Sequence, residues 1–177
     1  MVMFGLRIII VIVMLLCSCF QNDRADEDQK QNNNLTALAE KRRVVFELER
    51  IFDQCYGRCP VYTLTIYSDG EVVFEGKKNV KKFGTQVSKI SDGDIRLLKN
   101  KFDSSDFMNL SDRYVVEENC SSPVLSDGDS ARIYYHDGKT SKSIMHYSGC
   151  YGYGVFETLR ILEKSIDSTT NSNQWIK

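Results

Sequence analysis

The sequence predicts an α+β domain in which an antiparallel sheet packs against two helices that share one of its faces. Apolar and polar residues alternate from Val44 onward, which is the period of a half-buried strand. Two pairs, Asp69-Gly70 and Asp137-Gly138, stand between such stretches and favour tight hairpin turns. Two further stretches carry apolar residues at helical spacing, so the predicted order is strands, helix, hairpin, helix.

The first half of the domain reads as a run of antiparallel strands. "VVFELERI" alternates, and so does "VYTLTIY", which places Tyr62, Leu64 and Ile66 on one face. "EVVFEG" follows the Asp69-Gly70 turn as a third strand. The segment "NVKKFGTQVS" adds a short fourth strand to this prediction.

A helix is expected to begin at Ser91, because Asp94 stands three residues later and the pair resembles a capping box. Its predicted apolar stripe consists of Ile95, Leu98 and Phe102.

The second half of the domain reads as a hairpin followed by a helix. After a loop that holds Phe107, Leu110 and Tyr114, the stretches "SARIYYH" and "TSKSIMHY" form the second hairpin around Asp137-Gly138. The last helix is predicted from about Val155 to Ile166, where apolar residues recur at helical spacing.

The N-terminus has the features of a secretory signal. Arg7 precedes an apolar run from Ile8 to Leu16, which is shorter than a membrane-spanning helix requires. Leu16-Cys17-Ser18-Cys19 resembles the bacterial lipobox, which implies a signal peptide over 1–18 and a lipidated, palmitate-bearing Cys19. The alternative is an ordinary signal peptide cut nearby, with both cysteines incidental.

Residues 19–43 are predicted to form the lipidated N-terminus and a flexible polar tether, because they lack apolar periodicity. A single domain is expected over 44–167, with a C-terminal tail at 168–177. Phe20 stands where an Asp would favour retention in the inner membrane, so the resemblance to sorted lipoproteins points to the outer membrane, on its periplasmic or surface face. The acidic residues at 26–28 leave open a surface-export signal.

The length and charge of the chain exclude some classes of protein. It has 177 residues, which suits one domain with a hydrophobic core. Its formal net charge is −1, whereas a nucleic-acid-binding protein would show a basic excess or stripe. We therefore expect no nucleic acid among its partners.

Four cysteines remain after the signal and Cys19, and in an exported protein they are expected to form disulfides. Three connectivities are possible, and the short spacing favours Cys55 with Cys59, which leaves Cys120 with Cys150. A thiol-disulfide redox centre and half of a zinc site remain as alternatives for "CYGRCP". Pro60 and a strand follow Cys59, whereas a reactive thiolate is usually found at a helix N-terminus or beside a cation.

The motif Cys-x-Gly-x-Cys-Pro-x-Tyr spans residues 55–62 and precedes an alternating strand, an Asp-Gly turn and "EVVFEG". This combination resembles a family of bacterial exported and lipoprotein domains of unknown function over roughly Val44 to Ile166. The resemblance implies the fold, export and paired cysteines, and it supplies no established activity that could be assigned to this chain.

No catalytic motif is recognisable, so no catalytic residue, metal site or cofactor is predicted. His136 and His146 could face each other across the second hairpin and bind a metal with Asp137, although such residues more often decorate a sheet edge. A possible binding face combines lysines and tyrosines, which are Lys77, Lys78, Lys81, Lys82, Tyr134, Tyr151 and Tyr153.

The predicted function is that of an envelope lipoprotein held to the membrane by its N-terminal lipid. Its domain is expected to be a non-enzymatic module that binds an envelope protein, a glycan or a small ligand. The alternative is an enzyme, either a thiol-disulfide catalyst at Cys55 and Cys59 or another envelope enzyme.

Overall fold

The computed structural model describes residues 42–51, 55, 57–115, 120, 128–150 and 154–177. The chain divides into two units, Met1–Arg42 and Arg43–Lys177, and all of the described helices and strands belong to the second.

The second unit is built on a seven-stranded sheet with the order β4-β3-β2-β1-β6-β7-β5. Its strands are β1 (Val44–Ile51), β2 (Val61–Tyr67), β3 (Glu71–Lys78), β4 (Gly84–Lys89), β5 (Arg113–Tyr114), β6 (Ser130–His136) and β7 (Ser141–Tyr147). Every neighbouring pair is antiparallel except β5 with β7, which is parallel. The predicted α+β class and a largely antiparallel sheet are therefore confirmed.

Both predicted Asp-Gly turns join neighbouring strands. Gly70 has a φ of 85°, and its amide donates to the carbonyl of Tyr67 at 3.0 Å. Gly138 has a φ of 115°, and the carboxylate of Asp137 accepts hydrogen bonds from the amides of Lys139 and Thr140. Glycine is needed at both points because other residues rarely adopt a positive φ.

The helices are α1 (Asp92–Ser104), α2 (Gly154–Thr170) and the short α3 (Asn173–Ile176). Helix α1 begins as predicted, since the Ser91 hydroxyl accepts from the Asp94 amide and the Asp94 carboxylate accepts from the Ser91 amide. This reciprocal pair satisfies two backbone groups that would otherwise lack partners at the helix start.

One face of the sheet carries most of the core. The register places alternate residues of neighbouring strands side by side, so that Leu48 lies between Leu64 and Ile133. Helix α1 reaches this face through Phe102, whose ring packs on Phe46 and Tyr135. Helix α2 reaches the same face through contacts with β1, β2 and β7, which are described below. The opposite face includes charged residues such as Glu49 and Arg132, which form an ion pair at 2.8 Å.

Two regions differ from the sequence-based prediction. The loop after α1 contains a 3-10 turn at Phe107–Asn109 and the short strand β5, which pairs with β7. Within residues 168–177, α2 continues to Thr170, α3 follows, and Trp175 packs against Phe74 in the core. Two-residue strands and isolated buried aromatics lack the periodicity by which elements are recognised in sequence.

Candidate functional site

Two groups of charged side chains lie at the same end of the sheet, on either side of the start of β2. Arg50 pairs with Tyr62, and Lys78 pairs with Val61. We call the first group, Arg50, Asp129, His146, Glu163 and Asp167, the ionic cluster. We call residues 77–83 the lysine loop. They comprise the last two residues of β3 and the loop that leads to β4.

The ionic cluster is centred on Arg50 and Glu163. The Nη1 atom of Arg50 lies 2.6 Å from Oε2 of Glu163, and the two side chains are 15% and 3% exposed. The other carboxylate oxygen of Glu163 is bonded to Nε2 of His146, which is itself buried. The strands β1 and β7 are thereby joined to helix α2 through one carboxylate.

Two more carboxylates complete the surroundings of Arg50. Its guanidinium lies 3.5 Å from Oδ2 of Asp129 and 3.7 Å from Oδ2 of Asp167. Asp129 also accepts a hydrogen bond from the Ser148 hydroxyl at 2.6 Å, and Asp167 accepts one from the Tyr62 hydroxyl at 2.9 Å. Each carboxylate therefore has a second partner that fixes its position.

The cluster holds Arg50 and Glu163 in their charged forms. Burial raises the pKa of Glu163, but Arg50 and the hydrogen-bonded His146 outweigh it and hold that pKa below its ordinary value of 4.5. Burial also disfavours the charged form of Arg50, yet Glu163, Tyr62 and Asp129 outweigh it and raise its pKa. Chiefly through burial, the pKa of Tyr62 is raised, so its hydroxyl stays protonated and donates to Asp167.

The sequence analysis missed this cluster, although a signal was present. Arg50 continues the inward-facing alternation of Phe46 and Leu48 in β1, and Glu163 lies within the buried stripe of Leu159 and Ile166 in α2. An arginine and a glutamate at buried positions of two elements are a candidate ion pair, because buried charges need partners.

The structure contains both predicted disulfides, Cys55 with Cys59 and Cys120 with Cys150. The first lies beside the lysine loop, because the carbonyl of Cys59 accepts a hydrogen bond from the Asn79 side chain at 3.0 Å. The second includes Cys150, which follows Ser148 by two residues, and Ser148 donates a hydrogen bond to Asp129 of the ionic cluster. Cys19, the predicted lipidation site, lies outside the described residues.

The lysine loop exposes charge and is held in place by its backbone. The side chains of Lys77, Lys78, Lys81 and Lys82 are all exposed, whereas Val80 between them is buried in the core. Lys77 lies 3.4 Å from Glu49 on β1.

Contacts with the C-terminal segment fix the conformation of the loop. The amides of Lys81 and Lys82 donate to the carbonyls of Ile176 and Trp175. Gly76 is required below the loop, because a Cβ atom there would clash with the carbonyl oxygen of Lys82.

Comparison with known families decides the classification of the chain. The profile of a family described as a domain of unknown function, DUF6438, matches residues 46–170. The chain belongs to the DUF6438 family. No curated protein matches the chain. The matched range of the DUF6438 domain includes the ionic cluster and the lysine loop but ends before α3.

The structure separates one predicted tyrosine of the DUF6438 domain, Tyr134, from the predicted lysines. Tyr134 is half-buried on β6, pairs with Glu47 near the start of β1, and is separated from β3 by two strands. Tyr151 and Tyr153 lie outside the described residues. The register places Tyr134 toward the end of the sheet opposite the lysine loop, so these two parts of the predicted binding face lie apart.

The two histidines are also far apart within their hairpin. His136 pairs with Ser141 beside the turn, whereas His146 pairs with Ala131 near the opposite end. The proposed alternative of a shared metal site is therefore wrong. Among the residues that the structure describes, no three histidine, cysteine or carboxylate side chains are grouped as metal ligands. None of the described helices is long and apolar enough to cross a membrane.

Proposed function

We propose that this chain is a lipid-anchored protein of the bacterial cell envelope and that its DUF6438 domain is a non-enzymatic binding module. The lipobox-like residues 16–19 support lipid attachment at Cys19, and Phe20 supports an outer-membrane location. Two disulfides are typical of a protein that folds in an oxidising compartment.

The lysine loop is the observation that carries the binding role. Its four lysine side chains face solvent, while Val80 and two backbone hydrogen bonds hold its backbone against the domain. A surface that is already ordered loses little conformational entropy when a partner binds. Clustered lysines favour an anionic partner.

The ionic cluster has a structural role in this proposal, whereas the lysine loop has the binding role. Its carboxylates are bonded to Arg50, Tyr62 and Ser148, and its charges join β1, β2 and β7 to α2. These contacts explain the cluster as part of the framework of the domain.

Replacement of Cys19 tests the lipid anchor. We expect Cys19→Ser to abolish incorporation of a labelled fatty acid and to release or mislocalise the protein, while Cys17→Ser keeps the label as the matched control. The unfolding midpoint of the domain should not change, because the predicted tether separates Cys19 from the core. Label retained on the Cys19→Ser protein would contradict the proposal.

A further inference from the structure

The chain begins the domain at one end of the sheet and presents the lysine loop at the other. Val44, at the start of β1, pairs with Tyr67 at the end of β2, whereas Lys78 pairs with Val61 at the start of β2. The lysine loop is therefore about one strand length, roughly 26 Å for eight residues, from the point where the predicted tether joins the domain.

The tip of the lysine loop, residues 79–83, combines cations with exposed apolar surface. Phe83 follows Lys81 and Lys82 and is 66% exposed, and Val87 on the edge strand β4 is 61% exposed. Large apolar side chains next to a cluster of lysines are typical of surfaces that bind the interface of an anionic membrane, where the ring enters the headgroup region and the cations contact phosphates.

The backbone of this tip is already ordered. Asn79 adopts a φ of 53° and donates to the carbonyl of Cys59, and Gly84 has a φ of 70°. The amides of Lys81 and Lys82 are bonded to the C-terminal segment. Docking of the tip would therefore require little further ordering of the chain.

We propose that the lysine loop docks onto the anionic phospholipid headgroups of the membrane that carries the anchor, with Phe83 inserted among them. This inference rests on the proposed envelope anchoring and names the partner of the proposed binding surface. The tether that the sequence predicts over residues 19–43 would have a root-mean-square reach of roughly 25 to 30 Å. That reach matches the length of the sheet, and effective concentration is highest when linker reach and span agree.

Amine labelling of the vesicle-bound protein tests the proposal. The full chain, purified from membranes, is inserted into preformed vesicles of neutral phosphatidylcholine or of phosphatidylcholine mixed with anionic phosphatidylglycerol. Acetylation of each lysine is then followed by mass mapping. We expect Lys81 and Lys82 to be protected only on anionic vesicles and to lose protection at high salt. Lys139, at the turn of the second hairpin and the opposite end of the sheet, should react equally on both.

Charge variants give the expected size of the effect. Lys81→Gln with Lys82→Gln should shift the equilibrium away from the docked state by about thirtyfold, the effect of two lysines at an anionic surface. The remaining lysines, Lys77 and Lys78, report this shift by labelling faster. The matched control, Lys139→Gln with Lys164→Gln, removes the same charge from exposed positions elsewhere and should leave their protection unchanged.

Equal labelling of Lys81 and Lys82 on neutral and anionic vesicles would overturn the docking proposal. Protection by a soluble polyanionic glycan, with dextran sulfate as the probe, but not by anionic vesicles would also overturn it and would leave a binding role for the loop. The protection of Lys81 and Lys82 is measured in the same way whichever chemical group anchors the chain. Absence of a fatty acid from the purified chain would therefore contradict the proposed function without deciding the docking proposal.

Discussion

The ionic cluster and the lysine loop lie at the same end of the sheet but use their charges in opposite ways. In the ionic cluster, Arg50 is largely buried and contacts three carboxylates. In the lysine loop, Lys81 and Lys82 project into solvent while the backbone beneath them is tied to the domain. The first arrangement stabilises the fold, and the second leaves charge available to a partner.

The comparison shows that burial and partners decide what a charged residue does, more than its type. A buried charge that loses its partner keeps the cost of desolvation, whereas an exposed lysine remains hydrated. Substitutions in the cluster should therefore change stability, and substitutions in the loop should change binding.

Loss of Arg50 is the largest expected effect. We expect Arg50→Ala to lower the free energy of unfolding by about 3 to 5 kcal/mol, because Glu163 would be left buried without its guanidinium partner. Urea unfolding measures the change. Lys81→Ala is the exposed control and should stay within about 0.5 kcal/mol of the parent.

A double variant sharpens this test. Arg50→Met combined with Glu163→Gln removes both charges. Its loss in free energy of unfolding should be smaller than the summed losses of Arg50→Met alone and Glu163→Gln alone, since neither charge is then left unpaired. A similar loss from Arg50→Ala and Lys81→Ala would break the distinction between cluster and loop.

The two disulfides allow the same comparison, because one lies near each region. On chain-entropy grounds, loss of the Cys120–Cys150 bridge should cost about 3.7 kcal/mol and loss of the Cys55–Cys59 bridge about 2 kcal/mol, since their cysteines are 30 and 4 residues apart. Paired Cys→Ala variants measured by denaturant unfolding check this order. The order fails if the short bridge proves the costlier to remove.

The smallest expected effect is on the acid sensitivity of the domain. The pKa of Glu163 is lower in the folded protein than in the unfolded chain, mainly because Arg50 and His146 outweigh its burial. The resulting stability is present above the unfolded value of about 4.5 and is lost as the pH falls through the folded pKa.

The parent and Glu163→Gln should therefore differ in the pH dependence of stability. The free energy of unfolding of the parent should fall more steeply below about pH 4.5. Asp94 and Asp137 also have lowered pKa values through local hydrogen bonds, so both proteins retain some acid sensitivity. Identical slopes for the two proteins would exclude Glu163 as a contributor.

Much of the fold was predictable because its signals are local. The alternation of Leu64 with its neighbours, the Asp-Gly turns and the Ser91 cap each depend on a few adjacent residues. Strand β5 was not predictable, because two residues carry no period and their pairing with β7 depends on distant parts of the chain. The burial of Trp175 likewise depends on Phe74, about a hundred residues earlier in the chain.

The sequence by itself determined the α+β class, the two hairpins, the start of helix α1 and the candidate pairing of the four cysteines. Only the tertiary structure decided which charges are buried together and which remain in solvent. Arg50 and Glu163 are more than a hundred residues apart, and the sheet order and the packing of α2 bring them within 2.6 Å. The sequence identifies Lys81 and Lys82 as lysines, but only the fold places them on an ordered, exposed loop.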